Sequence, residues 1–172
     1  MKKVENTPQT QIQTHAENEA ETEAEFLERV EWVVNKLNKI TINNNDMLKL
    51  IANLKSQMSG KDYSRDHKAL INYMLNYAEK QIANISNTLI GINTFLHKVY
   101  NKALSFSERL IAFDSIYYLL CNIASSADTI NTIYDILCEQ EKLCDENSKK
   151  AFEVYYTANQ ARDIIKKYLT KK

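Results

Sequence analysis

The fold is decided by residues 26–58, which read FLERVEWVVNKLNKITINNNDMLKLIANLKSQM. Apolar side chains recur here at alternating spacings of three and four residues, so they lie along one narrow stripe of an α-helix. Such a stripe is stable in water only when another helix covers it. The stretch therefore predicts a long helix built to pack against other helices. The members of the stripe are Phe26, Val30, Val33, Leu37, Ile40, Asn44, Met47, Ile51, Leu54 and Met58.

A second stripe with the same spacing follows Gly60. It comprises Ile71, Leu75, Ala78, Ile82, Ile85, Leu89, Ile92, Leu96, Val99 and Ala103. The chain of 172 residues contains only two glycines and one proline, which is too few for the turns of a β-sheet protein. We therefore predict an all-α fold, an elongated antiparallel bundle of three or four long helices with coiled-coil-like heptad packing.

One polar residue interrupts the first stripe. Asn44 occupies a seam position between Ile40 and Met47, and the phase of the stripe is the same on both sides of it. A buried asparagine at such a position fixes helix register and the number of partners at some cost in stability. We predict this register role for Asn44. The alternative is a short Asx turn at Asn43–Asp46, because all four residues there are poor helix formers.

The predicted elements divide the chain into a polar N-terminal tail, residues 1–15, and a single helical-bundle domain, residues 16–172. The tail is rich in Thr, Gln and Asn, so we expect it to be disordered. Ser105 and Glu108 have the spacing of a capping box, which favours a new helix there. One helix continuing through this point is the alternative, because the heptad phase is unbroken. The helices are predicted at about residues 17–59, 64–104, 106–144 and 148–170.

Leu110–Ala124 differs from the two stripes because twelve of its fifteen residues are apolar or aromatic. Its apolar surface is too wide for one seam, so this helix is predicted to be either the centre of the bundle or an oligomer contact. The candidate protein-interface residues here are Phe113, Tyr117, Tyr118 and Leu120. In the last helix we expect one packed face, formed by Phe152, Tyr155, Ala158, Ile165 and Leu169.

Charge sums to zero, with 22 basic and 22 acidic residues, so no field of the whole molecule attracts nucleic acid or anionic membranes. The charges are nevertheless separated: acidic residues concentrate in residues 17–31 and basic residues in 149–172. The two ends are able to pair within or between molecules. The alternative is that both ends are exposed to solvent, with glutamates at a helix start and lysines at a helix end stabilised by the helix dipole. Arg162, Lys166 and Lys167 are further candidate interface residues in the basic end.

No motif for catalysis or metal binding stands out. His15, His67 and His97 all lack the preceding acidic residue of the Glu-x-x-His arrangement that bundle metal sites use. The three cysteines, Cys121, Cys138 and Cys144, do not share one helical face and are typical of small buried side chains in a reducing compartment. We therefore predict no enzymatic activity, no cofactor and no metal. An enzyme built in the bundle core would need ligands that the sequence does not supply.

These observations favour a non-enzymatic protein–protein interaction module, acting as an assembly, adaptor or chaperone-like component through helix packing. The expected partner is another protein or a second copy of the chain, rather than nucleic acid, a membrane or a small-molecule substrate. The alternative is nucleic-acid or anionic-membrane binding through the basic C-terminal helix. The sequence has no apolar signal region and no uninterrupted apolar run of about 18 residues, so we expect a cytoplasmic protein. Secretion as a bacterial effector is the alternative, because the polar N-terminus resembles some export signals in composition.

Overall fold

Four helices make up the protein in the computed structural model, which describes residues 8–100, 104–141 and 145–169. They are α1 (Pro8–Ser59), α2 (Arg65–Tyr100), α3 (Phe106–Glu141) and α4 (Asp145–Leu169). These ranges contain no strand, so the all-α prediction is confirmed. Both α1 and α3 pack against α2 and α4. The helices therefore form a four-helix bundle in which α1 and α3 face each other across the diagonal.

The two predicted stripes form much of the core. Every residue of the α1 stripe is buried, and so is every α2 stripe residue from Ile71 to Val99; Ala103 lies outside the described residues. At the end of the bundle where α2 leads into α3, the ring of Phe26 makes edge-to-face contacts across the diagonal. Its centroid lies 5.7 Å from that of Phe106 and 5.0 Å from that of Phe113. These contacts join α1 directly to α3.

α1 is longer than predicted at its start and unbroken in its middle. It begins at Pro8 rather than near Glu17, because the fixed φ of proline suits the first turn of a helix. Residues 1–7 of the predicted tail lie outside the described residues. The helix continues through Asn43–Asp46 and reaches 52 residues, about 78 Å. Contacts that Asn43 and Asn44 make with neighbouring helices outweigh their weak helix propensity.

A capping box separates α2 from α3. Ser105 Oγ accepts a hydrogen bond from the Glu108 N–H over 3.3 Å, and Glu108 Oε2 accepts one from the Ser105 N–H over 2.8 Å. These reciprocal bonds stabilise the start of α3, so α2 and α3 are two helices. α2 ends at Tyr100, before the predicted 104, where the chain bends. The predicted end of α3 at 144 falls among residues 142–144, which, like residues 101–103, lie outside the described ranges.

The packed face of α4 includes only part of the predicted face. Phe152 and Tyr155 are 55% and 37% exposed, so their assignment to the core face is wrong, whereas Ala158 and Ile165 are buried as predicted. Leu169 packs partly buried against the core. Small side chains suit the contact between closely packed helices, and the larger rings lie outside it. The buried seam of α4 consists of Ala151, Val154, Ala158, Ala161 and Ile165.

Candidate interaction surfaces

The predicted interface residues on α3 divide into core and surface. Phe113 and Leu120 are fully buried, because α3 packs against α2 and α4 and uses its wide apolar surface inside the chain. Tyr117 packs partly buried against the core, and Tyr118 is 62% exposed. The two tyrosine rings meet edge to face with centroids 5.3 Å apart. A partner of the folded chain can therefore reach Tyr118 and part of Tyr117, but not Phe113 or Leu120.

Asn44 lies in the middle of the bundle, only 1% exposed. Its Nδ2 donates a hydrogen bond to Ser86 Oγ over 2.8 Å and a longer one to the Ile82 carbonyl over 3.4 Å. Its Oδ1 is buried and has no hydrogen-bond donor in the part of the chain that the structure describes. Both of its bonds reach α2, so Asn44 favours one alignment of α1 on α2.

Further polar contacts lie close to Asn44 along the bundle. Asn43, 3% exposed, donates to Glu153 Oε2 over 3.1 Å and accepts from Lys150 Nζ over 3.2 Å. Lys150 also forms an ion pair with Asp46 over 3.3 Å. These bonds tie α1 to α4, and the charged groups involved keep partial access to solvent. Charged side chains therefore connect α1 and α4 along this side of the bundle, which we call the α1–α4 side.

The acidic and basic ends lie at the same end of the molecule. Lys36 bonds Gln160, and Asn43, seven residues further along α1, bonds Glu153, seven residues earlier on α4. This antiparallel register places Lys166 and Lys167, both exposed, level with residues 28–31 of α1. Arg162 is partly buried, and its guanidinium lies 3.6 Å from the carboxylate of Asp163. Lys167 is therefore level with Arg29, and a carboxylate beside the basic cluster is that of Asp163 on α4 itself.

Two tyrosines on α2 were not singled out from the sequence. Tyr73 and Tyr77 are 69% and 41% exposed, and their rings stack with centroids 6.4 Å apart. They lie one turn apart and outside the buried stripe, so their positions in the sequence could have indicated that both rings are exposed. Leu70, one turn earlier on the same side, is 53% exposed. A large apolar cluster thus remains on the outside of α2.

The register of α2 against α3 shows what stands opposite this cluster. Asn84 donates to Ser126 Oγ over 3.0 Å, and a Cβ built on Gly91 would lie 3.7 Å from a methyl carbon of Leu119. The two contacts are seven residues apart on each helix, so the alignment is constant. It places Ile136 of α3, 39% exposed, level with the stretch between Tyr73 and Tyr77.

A second aromatic cluster lies on α4. Phe152 stacks on Tyr156 with centroids 6.4 Å apart and approaches Tyr155 at 6.5 Å. Tyr156 is 54% exposed. Charged residues border this cluster, since Glu153 lies beside it and pairs loosely with Lys39 over 4.0 Å.

Sites for chemistry are poorly supported. Across residues 8–100, 104–141 and 145–169, no group of three His, Cys, Asp or Glu side chains is arranged to hold a metal ion. Cys121 and Cys138 are partly buried free thiols; Cys144 lies outside the described residues. A depression of about 70 Å³ lies at the α1–α2 turn, well below the 300 Å³ or more of typical ligand pockets. Its lining is Met58, Ser59, Tyr63, Lys68, Ile71 and Asn72.

In the part of the chain that the structure describes, two groups have shifted pKa values. Hydrogen bonds from the Ser105 side chain and backbone lower the pKa of Glu108. Partial burial, with the nearby negative charge of Glu31, raises the pKa of Tyr100. The first shift follows from the capping box and the second from the packing of α2 on α1, so each has a structural cause.

α3 is long and apolar enough to cross a membrane by composition, with a mean hydropathy of 1.3 over its most apolar part. Of that part, 44% is buried inside the bundle. A core helix surrounded by other helices has the same composition. Composition therefore does not assign α3 to a membrane.

Comparisons of the chain with protein-family models, with curated proteins and with solved structures found no match.

Proposed function

We propose that this chain is a non-enzymatic protein–protein interaction module, acting as an assembly, adaptor or chaperone-like component through helix packing. The observation that carries the proposal is the set of large aromatic side chains left outside a complete core. Tyr73 is 69% exposed, Tyr118 62% and Tyr156 54%. Tyrosine is enriched at protein interfaces because it offers a large apolar ring together with a hydroxyl group.

The core of the bundle supports this proposal. The stripes of α1 and α2 are buried within one chain, as are Phe113, Ile116, Leu120 and Ile123 of α3, so folding does not require a partner to cover them. The exposed rings are therefore not part of an unfinished core. Exposed apolar side chains that cluster, as Tyr73 and Tyr77 do, are a feature of binding surfaces.

The alternative, nucleic-acid or anionic-membrane binding through the basic C-terminal helix, has less support. Lys166 and Lys167 are exposed, but Arg162 is partly buried and its guanidinium lies 3.6 Å from the carboxylate of Asp163. Neighbouring carboxylates reduce the local positive potential that phosphate binding requires. We further propose a reducing, intracellular location, because Cys121 and Cys138 are free thiols.

Site-specific photo-crosslinking in the cells that make the protein tests the proposed function. A photoreactive phenylalanine analogue replaces Tyr73, Tyr118 or Tyr156 in separate variants, and the control carries it at Asn35, an exposed position on α1. We expect protein adducts from at least one tyrosine position and none from position 35. Equal adducts at all four positions, or none at any, would contradict the proposal.

A further inference from the structure

We propose that the outward face shared by α2 and α3 binds a second copy of this chain through a two-fold symmetric interface. This α2–α3 face is defined by Tyr73, Tyr77 and Asn87 on α2 and by Tyr118, Asn122 and Ile136 on α3. The inference rests on the proposed function and names its partner.

The α2–α3 face is almost free of charge. Five residues are acidic or basic in the ranges 69–96 of α2 and 110–138 of α3. Two of them face other helices: Glu79 pairs with Lys55 of α1 over 2.6 Å, and Asp135 accepts a bond from Ser148 of α4 over 2.7 Å. Asp114 and Asp128 stand at multiples of seven residues from Asp135 and so follow its stripe. Lys80 is the charge that remains, and it lies on the face because it stands seven residues from both Tyr73 and Asn87.

The opposite side of the bundle is rich in charged residues. The α1–α4 side carries Lys39, Asp46, Lys150 and Glu153, which form ion pairs across the two helices. Depletion of charge at the centre, together with enrichment in tyrosine, is the compositional mark of a protein interface. The α2–α3 face has this mark and the α1–α4 side does not.

The area of the α2–α3 face suits a stable dimer. The nearly uncharged stretches 69–96 and 110–138 contain 28 and 29 residues, which corresponds to a length of about 42 Å. Two adjacent helices about 10 Å apart present a strip about 20 Å wide, or about 840 Å². Stable interfaces need about 800 Å² from each partner, so the strip is sufficient.

The chemistry of the face fits a copy of itself better than other surfaces. A two-fold interface brings identical patches together, so a patch with many like charges repels its own copy, whereas this face brings one charge, Lys80, from each copy. Amide and hydroxyl groups both donate and accept hydrogen bonds, so Asn87, Asn122 and the tyrosines can match their symmetry mates. The same amides count against a bilayer, because hydrocarbon would leave them without hydrogen-bond partners.

Light scattering on the full chain tests the proposal. We expect wild-type protein to have twice the chain mass of 19.9 kDa, and to keep that mass between about 0.15 M and about 1 M salt, because the face does not depend on ion pairs that salt would screen. The double variant Asn87→Arg/Asn122→Arg places like charges opposite each other and should raise the dimer Kd by about tenfold or more. Asn35→Arg, the same change at an exposed position of α1, should leave the mass unchanged.

Tyr73→Glu is a second, independent variant near the end of the face, and circular dichroism establishes that each variant is folded. A monomeric wild type would overturn the proposal, and so would a dimer that dissociates in high salt or survives both the arginine pair and Tyr73→Glu. Sedimentation with neutral phosphatidylcholine vesicles, if blocked by the same variants in a monomeric protein, would assign the face to lipid instead. A monomer that still gives specific adducts in the crosslinking experiment would overturn the dimer and leave the proposed function standing.

Discussion

Asn44 of α1 donates a hydrogen bond from Nδ2 to Ser86 Oγ of α2 over 2.8 Å in the buried centre of the bundle. Ser86 Oγ in turn donates to the Ile82 carbonyl over 3.3 Å. The pair satisfies the amide nitrogen of Asn44, while its Oδ1 stays buried without a donor among the described residues. This arrangement specifies how α1 sits on α2 at some cost in stability.

Replacing Asn44 with leucine should make the fold more stable and less specific. Asn44→Leu removes the unpaired oxygen, and Ser86 keeps its bond to Ile82, so we expect unfolding to require about 1 kcal/mol more. Loss of the polar seam residue should also broaden the range of oligomers. Urea unfolding and light scattering measure the two effects. Asn45→Leu, at the exposed neighbouring position, is the control. Lower stability with unchanged mass would contradict the register role.

Leu120 and Tyr118 separate the core of α3 from its surface. Leu120 is fully buried, so Leu120→Asp should destabilise the fold by at least about 3 kcal/mol or unfold it, through a lost apolar contact and a buried charge. Tyr118→Asp, at a residue 62% exposed, should leave the helical content intact. Thermal unfolding followed by circular dichroism compares the two. A folded Leu120→Asp protein with a wild-type melting temperature would remove Leu120 from the core.

The capping box should make the start of α3 sensitive to pH. The folded-state pKa of Glu108 lies below its ordinary value of 4.5, so ionised Glu108 stabilises the folded chain above that pH. Its contribution is lost as the pH falls through the lowered pKa. Glu108→Gln should therefore reduce the melting temperature at neutral pH and have less effect in acid. Glu139→Gln, at an exposed site near the end of α3, is the control, and an equal loss at every pH would count against the ionised cap.

Ser105 supplies the other half of the cap. Ser105→Ala removes the oxygen that accepts the Glu108 N–H and should cost about 1 kcal/mol of unfolding free energy. Ser107→Ala, two residues later and also exposed, should cost much less because Ser107 is not the cap. Urea unfolding of both variants checks the assignment, and equal losses would place the cap elsewhere.

The packed face of α4 can be tested with one pair of substitutions. Val154 is buried and Phe152 is 55% exposed. Val154→Ala should cost about 2 kcal/mol because it opens a cavity in the core. Phe152→Ala removes a larger side chain but should change the free energy of unfolding by less than about 0.5 kcal/mol. Urea unfolding gives both values, and the opposite order would restore the face that the sequence predicts.

Much of the local structure could be predicted from the residues. The stripes of α1 and α2 repeat at helical spacing over many turns, and each repeat adds the same information about which side is apolar. Ser105 and Glu108 specify a helix start through bonds within four residues. The position of Asn44 within an apolar stripe is enough to indicate that it is buried.

Features that depend on more than one helix were not predictable in the same way. The aromatic residues of α4 could have formed its packed face, but Ala151, Ala158 and Ala161 are the residues buried against the neighbouring helices. Phe113 and Leu120 have the composition of either a core or an interface. Their burial depends on α2 and α4 standing on both sides of α3.

The sequence alone therefore determined the elements of this protein: long helices, their apolar stripes, the buried asparagine and the cap of α3. All of these follow from periodicity and from hydrogen bonds between near neighbours. Only the tertiary structure decided which outer side of the bundle carries ion pairs and which carries exposed tyrosines. The antiparallel register joins residues more than a hundred positions apart, such as Asn43 and Glu153, and spacing along one helix carries no information about such pairs.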